Sequence, residues 1–333
     1  MSRDGLRLSV TMLSILPESI VPATRARQPP PGPGRPDRTW SPRPGRATVP
    51  DGTGSYGAGG SAGSYGSSGE PTGPPWPAAE PPLADRPDER PAAAARPTRA
   101  TAAEAMLWAP AVGLVLGAIA AAVLYVAGHL LHTGPLVAAV LAVGSLAVLS
   151  RGLHLDGLAD LADGLGSRRP PAEALAIMKR SDIGPFGVVT LVFTLLIQVA
   201  GLTQADAAGR GVPAVIVAAV TGRLAIIWAC RRGMPPARPD GLGAMVADSV
   251  APVTAAVLTA AVLAVTVGGI FLAAAVANVP VEWILPVAVA AGLVAGVALG
   301  EHGARRLGGI TGDVLGAVAE AATAACLLVT AIS

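Results

Sequence analysis

The chain has 333 residues, of which 52% are hydrophobic, 14% charged and 3% aromatic, with a formal net charge of +2 at neutral pH and a mean hydropathy of +0.55. Soluble domains carry about a quarter charged residues, so this balance excludes an ordinary soluble fold and predicts an all-α, polytopic membrane protein. The two cysteines, Cys230 and Cys326, lie in or beside apolar stretches without paired spacing, which gives no support to a disulfide framework or a thiolate metal site.

Residues 1–22 hold one short apolar run, LRLSVTMLSILP at 6–17. It is too short to cross about 30 Å of hydrocarbon and no small-residue cleavage site follows it, so it reads as an interfacial or packed helix rather than a signal peptide. Residues 23–100 are rich in Pro, Gly, Ser and Arg, in runs such as QPPPGPGRP and GSYGAGGSAGSYGSSGEP. Such a stretch cannot bury enough apolar surface to offset its chain entropy and reads as a disordered insertion. Its arginines are scattered among prolines without a motif, and no nucleic-acid partner is expected.

Residues 101–333 read as one multi-pass membrane domain. Seven apolar segments are predicted to span, at roughly 106–127, 134–150, 185–204, 212–229, 250–275, 283–300 and 314–332; the second and sixth are short, and the last carries Glu320. The connections at 151–184, 230–249 and 301–313 are basic, as is the stretch before the first span, whereas those at 128–133, 205–211 and 276–282 contain Arg210 as their one Lys or Arg. Positive loops favour the cytoplasm. The expected topology in the cell membrane therefore has the amino terminus inside, the carboxyl terminus outside and every motif below on the cytoplasmic side.

The segment RGLHLDGLADLADGLGSRRP, residues 151–170, carries Asp156, Asp160 and Asp163 at i, i+4 and i+7, one face of a helix. Three like charges on one face call for a counter-cation, and all-oxygen ligands suit Mg²⁺ or Mn²⁺. The interleaved Gly157, Gly164 and Gly166 allow close approach of a backbone or a diphosphate. His154 lies off the face, as a structural group or a supporting donor. In MKRSDIGPFG, residues 178–187, Lys179 and Arg180 are candidate phosphate-binding cations and Asp182 a candidate ligand or base, ahead of a Gly-Pro pair that marks a helix start. Arg223 interrupts an apolar span, where a charge is costly and usually meets a partner or a wet cavity. In RRLGGITGDVLGAVAEAA, residues 305–322, Gly308, Gly309, Thr311 and Gly312 read as a flexible turn and Asp313 as a helix cap, with Glu320 on Asp313's face.

Together these pieces resemble the adenosylcobinamide-GDP ribazoletransferase (cobalamin synthase) family. The resemblance rests on HLDGLADLADGL at 154–165, the 178–187 segment, Arg223, GGITGDVLGAVAE at 308–320, the early LSILP and WAPAVGLVLGAI in the first span. It departs from the family's commoner pattern in the order Arg180-Ser181-Asp182, in Leu161, and in the insertion at 23–99. It implies Mg²⁺-dependent transfer of a phosphate-linked cobinamide from adenosylcobinamide-GDP to α-ribazole or its 5′-phosphate, with release of GMP. By the same resemblance Asp156, Asp160, Asp163, Asp313 and Glu320 are expected as metal ligands and Asp160, Asp163, Asp182 and Asp313 as catalytic. His154, Arg168, Lys179, Arg180, Arg223, Thr311 and Gly312 are expected to contact substrate, with membrane lipid as surroundings.

Two other readings compete. Asp160, Asp163, Gly164, Ser167 and Arg168 echo the first half of the CDP-alcohol phosphotransferase signature, but its further aspartates are absent after Arg168. A transporter also places charges in spans, yet inverted repeats are not evident and the aspartates sit at one boundary.

Overall fold

The computed structural model describes residues 99–277 and 283–332; the expectations for the amino-terminal apolar segment and for the insertion up to residue 98 lie outside them. Among the described residues the regular elements are helices, and strand pairing is reduced to two isolated bridges, Arg231 with Val250 and Pro236 with Ile310. In chain order they are α1 (Arg99–Leu107), α2 (Ala109–Tyr125), α3 (Pro135–Leu149), α4 (Leu153–Gly166), α5 (Pro171–Ile177), α6 (Pro185–Ala207), α7 (Gly211–Ala229), α8 (Gly241–Val246), α9 (Pro252–Ala277), α10 (Ile284–Leu307) and α11 (Gly312–Thr330). Proline at the first turn of α2, α3, α5 and α6 starts those helices without the loss of a backbone hydrogen bond.

Six helices are long and apolar enough to cross a membrane: the run Ala100–Leu130, α6, α7, α9, α10 and α11; the bent pair α3–α4 makes a seventh when counted as one span. Polytopic all-α architecture is thus observed. Two details differ from the apolar pattern. The sixth span does not stop near residue 300, because α10 continues to Leu307 as an amphipathic end tied by Glu301 and Arg305 at 3.3 Å, one turn apart.

The second predicted span is more consequential. α3 has only 15 residues, about 22 Å of rise, and α4 leaves it at 86°. Arg151 and Gly152 adopt left-handed φ angles of 54° and 69°, which ends α3 after the Gly152 amide donates back to Ala147 at 2.8 Å. The turn directs the aspartate-bearing helix sharply away from the axis of α3.

α11 is the centre of the bundle, packed by α10, α7, α4 and α6. Its Ala317, Val318, Ala319, Ala322 and Leu327 are fully buried. Small residues bring its neighbours to backbone contact, the packing route available where lipid offers no hydrophobic drive between helices. A Cβ at Gly222 of α7 would lie 2.9 Å from the Ala319 carbonyl oxygen, and one at Gly201 of α6 would lie 2.8 Å from that of Leu327.

Candidate active site

The site is set by the crossing of α4 and α11, which run antiparallel. A Cβ on Gly157 would stand 2.8 Å from both Cα and O of Asp313, and one on Gly316 would stand 3.0 Å from Cα of His154. Two glycines, one per helix, thus put the backbones in contact, and the start of α11 comes to lie beside Asp156 and Asp160. The turn before α11 is not flexible as expected. Gly308 caps α10 at φ 80°, and Ile310 is bridged to the 231–250 connection by Ala237 N–H to the Ile310 carbonyl at 2.9 Å and Ile310 N–H to the Pro235 carbonyl at 2.8 Å. Nor does Asp313 cap the helix: α11 begins at Gly312, and the Thr311 hydroxyl accepts from the Val314 amide at 3.2 Å. Asp313 falls in the first turn, where a carboxylate suits the positive end of the helix, and its Oδ2 accepts from the Thr311 hydroxyl at 3.2 Å.

Asp156, exposed, and Asp160 and Asp313, both partly buried, form an open group of oxygen donors. Burial first, then the carboxylates of Asp156, Asp313 and Asp163, push the Asp160 pKa up to about 7 against the opposing pull of the Arg238 guanidinium. Asp160 belongs to the crossing helix α4, outside the six long spans. Among the described residues no group of three or more His, Cys, Asp or Glu side chains is placed to hold a metal ion. A hard divalent ion that fills its shell with water and substrate oxygens requires only one or two carboxylates.

The remaining residues singled out in the sequence lie in three other places. Asp163, though on the same helix, turns to α6, where its carboxylate accepts from the Gly184 amide at 2.7 Å and the Gly187 amide at 2.9 Å. It therefore anchors the positive end of that helix. Asp182 sits on an exposed connection and is held bidentately by Arg180, with both contacts at 3.1 Å; Lys179 and Arg168 are exposed nearby in the chain.

Glu320, His154 and Arg223 form a separate buried tier. Gln198 of α6 donates to Glu320 at 2.7 Å, His154 Nδ1 lies 3.9 Å from the same carboxylate, and Arg223 is 3% exposed. Seven residues along α11 separate Glu320 from Asp313, about 10 Å of rise, so the structure does not bring Glu320 to the aspartates.

Arg238 escaped the sequence reading, where it counted only as one of the positive charges of a loop. It reaches the site from the bridged connection: its Nη1 is 3.9 Å from Asp313 Oδ2 and its Nη2 donates to the Leu175 carbonyl at 2.7 Å. Its position depends on the backbone bridge of Pro236 to Ile310, which leaves no signal in the sequence around it. A cavity of about 610 Å³ between α2, α7 and α9 is lined almost wholly by apolar side chains and does not include the aspartates.

The family model for cobalamin-5-phosphate synthase matches residues 89–331. The adenosylcobinamide-GDP ribazoletransferase of Frankia casuarinae is 42% identical over 246 residues, 71% of this chain and 87% of that protein. That of a Nocardioides species is 41% identical over 235 residues, covering 70% and 89%, and that of Chlorobaculum tepidum is 37% identical over 236 residues, covering 68% and 85%. No solved structure matches the chain. With the match running through α4, the 231–250 connection and α11, the chain belongs to the cobalamin-5-phosphate synthase family.

Proposed function

We propose that this protein transfers the cobinamide-phosphate group of adenosylcobinamide-GDP to α-ribazole or its 5′-phosphate, releasing GMP, at the cytoplasmic face of the cell membrane. The observation that carries this reading is the meeting of Asp156, Asp160 and Asp313 at the α4–α11 crossing, inside the region that matches the family. The basic connections at 151–184, 230–249 and 301–313 support a cytoplasmic site.

In the proposed reaction a riboside hydroxyl oxygen bonds to the phosphorus that carries the cobinamide aminopropanol. The bridging P–O bond to the guanosine phosphate breaks, GMP leaves with the bridging oxygen, and the hydroxyl proton is lost. Transfer of this kind depends on charge neutralisation and alignment more than on covalent help from the protein. Asp160, with Asp156 or Asp313 beside it, would hold Mg²⁺, which when bound supplies charge neutralisation of the diphosphate. Gly312 opens α11, whose first-turn N–H groups favour an anion. Arg168, on the connection after α4, and Lys179, on that after α5, are both exposed and would meet phosphates from the solvent side. Glu320, His154, Gln198 and Arg223 would support the crossing from beneath, joining α4, α6, α7 and α11.

The test is Mg²⁺-dependent GMP release by the purified protein, with each riboside offered separately and a CDP-alcohol with an alcohol acceptor as the rival pair. GMP release that requires Mg²⁺ and a riboside is the expected result. Turnover of the CDP-alcohol alone would overturn the reading in favour of the lipid-forming class.

A further inference from the structure

Arg238 is placed like a ligand-binding group rather than a structural one. Its backbone follows directly on the bridge between Pro236 and Ile310, so its Cα is fixed relative to the start of α11. Its side chain is 18% exposed. One end of the guanidinium is used, in the 2.7 Å bond to the Leu175 carbonyl of α5. The Nη1 approach to Asp313, at 3.9 Å, is an ion pair longer than a hydrogen bond. Nε is buried and has no partner among the described residues.

A guanidinium presents a planar fork of N–H donors that matches the oxygens of a phosphate, and a buried donor without an acceptor is costly. Here much of the fork is unspent, and it borders Asp313 and acts electrostatically on Asp160. An anion drawn to cation-loaded carboxylates would arrive within its reach.

The geometry points to Arg238 as a phosphate-binding residue of the site, contacting the diphosphate of the nucleotide donor and retaining the guanosine phosphate as it leaves. This deepens the proposed transferase reading and rests on it. Nothing in the acceptor's ring or sugar demands such a group; a diphosphate does. Arg238 would therefore determine affinity for the phosphates of the donor and for GMP, and leave recognition of the riboside to other groups.

The full-length protein in lipid nanodiscs tests this through R238Q and R238K, with gel filtration and melting to establish folding. Michaelis constants for adenosylcobinamide-GDP and for each riboside would be measured beside inhibition by GMP and by guanosine. Loss of a charge-assisted fork predicts that R238Q raises the donor KM and the GMP inhibition constant each by about tenfold or more. Guanosine inhibition and the riboside KM should stay within about twofold. R238K keeps the charge without the fork and should fall between. A fall in kcat with donor KM and GMP inhibition unchanged would overturn the proposal and leave Arg238 as a brace between α5 and α11. A rise confined to the KM of the phosphorylated riboside would overturn it equally. If R238Q does not fold, wild-type GMP inhibition in R238K decides against the proposal, and a raised constant decides for it. A wild-type protein that releases no GMP defeats the transferase reading instead; equilibrium binding of GMP against guanosine then still decides the phosphate site, and no phosphate-dependent binding overturns it.

Discussion

The α4–α11 crossing can be opened by a single methyl group. In Gly157→Ala the new Cβ would lie 2.8 Å from Asp313 Cα and from its carbonyl oxygen, and both obstacles are backbone. Ordinary contact begins at 3.4 Å, so the two helices must part by about 0.6 Å at least, or α4 must rotate. Overpacking of this kind costs about 1–3 kcal/mol. Its effect on chemistry should be larger than its effect on folding, because Asp160 is one turn from Gly157 and the displacement passes directly into the Asp160–Asp313 separation. A misplacement approaching 1 Å costs on the order of 100-fold in rate. GMP release at saturating Mg²⁺, with melting measured in the same detergent, would show kcat/KM down by one to two orders of magnitude in a protein that still melts cooperatively. Gly144→Ala is the control, since a Cβ there meets nothing within 4 Å, and its activity should match wild type. Wild-type kcat/KM in Gly157→Ala, with an unaltered Mg²⁺ requirement, would refute the claim that this contact sets the site.

Asp160→Asn should reduce GMP release by about 100-fold or more, whereas Asp182→Asn, on an exposed loop with Arg180 as its partner, should change kcat/KM by less than about threefold. Asp163→Asn should act on stability: it weakens the anchor of α6 at Gly184 and Gly187 by about 1–2 kcal/mol, read as a lower melting temperature with the KM values retained. Because burial and the neighbouring carboxylates push the Asp160 pKa up to about 7, Mg²⁺ binding to ionised carboxylates should release a proton below that pH. Apparent Mg²⁺ affinity should rise as pH increases towards 7 and level off above it; calorimetry in two buffers of different ionisation enthalpy checks this, and pH-independent affinity would count against Asp160 as a ligand. Deletion of residues 25–98 should leave GMP release intact, as measured on the purified truncated protein.

The apolar spans, the all-helical class and the segments that bear the chemistry were legible in the chain because each depends on local properties. Hydropathy over some twenty residues decides a span, and the spacing of Asp156 and Asp160 decides a helix face. What lies across that face is not local. Asp163 shares the periodicity of the other two, yet the glycines of α6 offer amides that take it away from them. Asp313 and Glu320 share a face of α11, yet about 10 Å of rise puts them in different tiers. Arg151 and Gly152 look like an ordinary basic loop in the sequence, and only their left-handed backbone turns the aspartate helix by 86° to lie beside the start of α11. Arg238 was hidden for the same reason: its position depends on a backbone bridge to a segment some seventy residues away, and pairing of that kind leaves no periodic signal. The sequence by itself determined which residues carry charge at the boundary of an apolar bundle. The tertiary structure decided which of those charges meet, because glycine contacts and backbone bridges between distant segments set the distances on which the electrostatics depend.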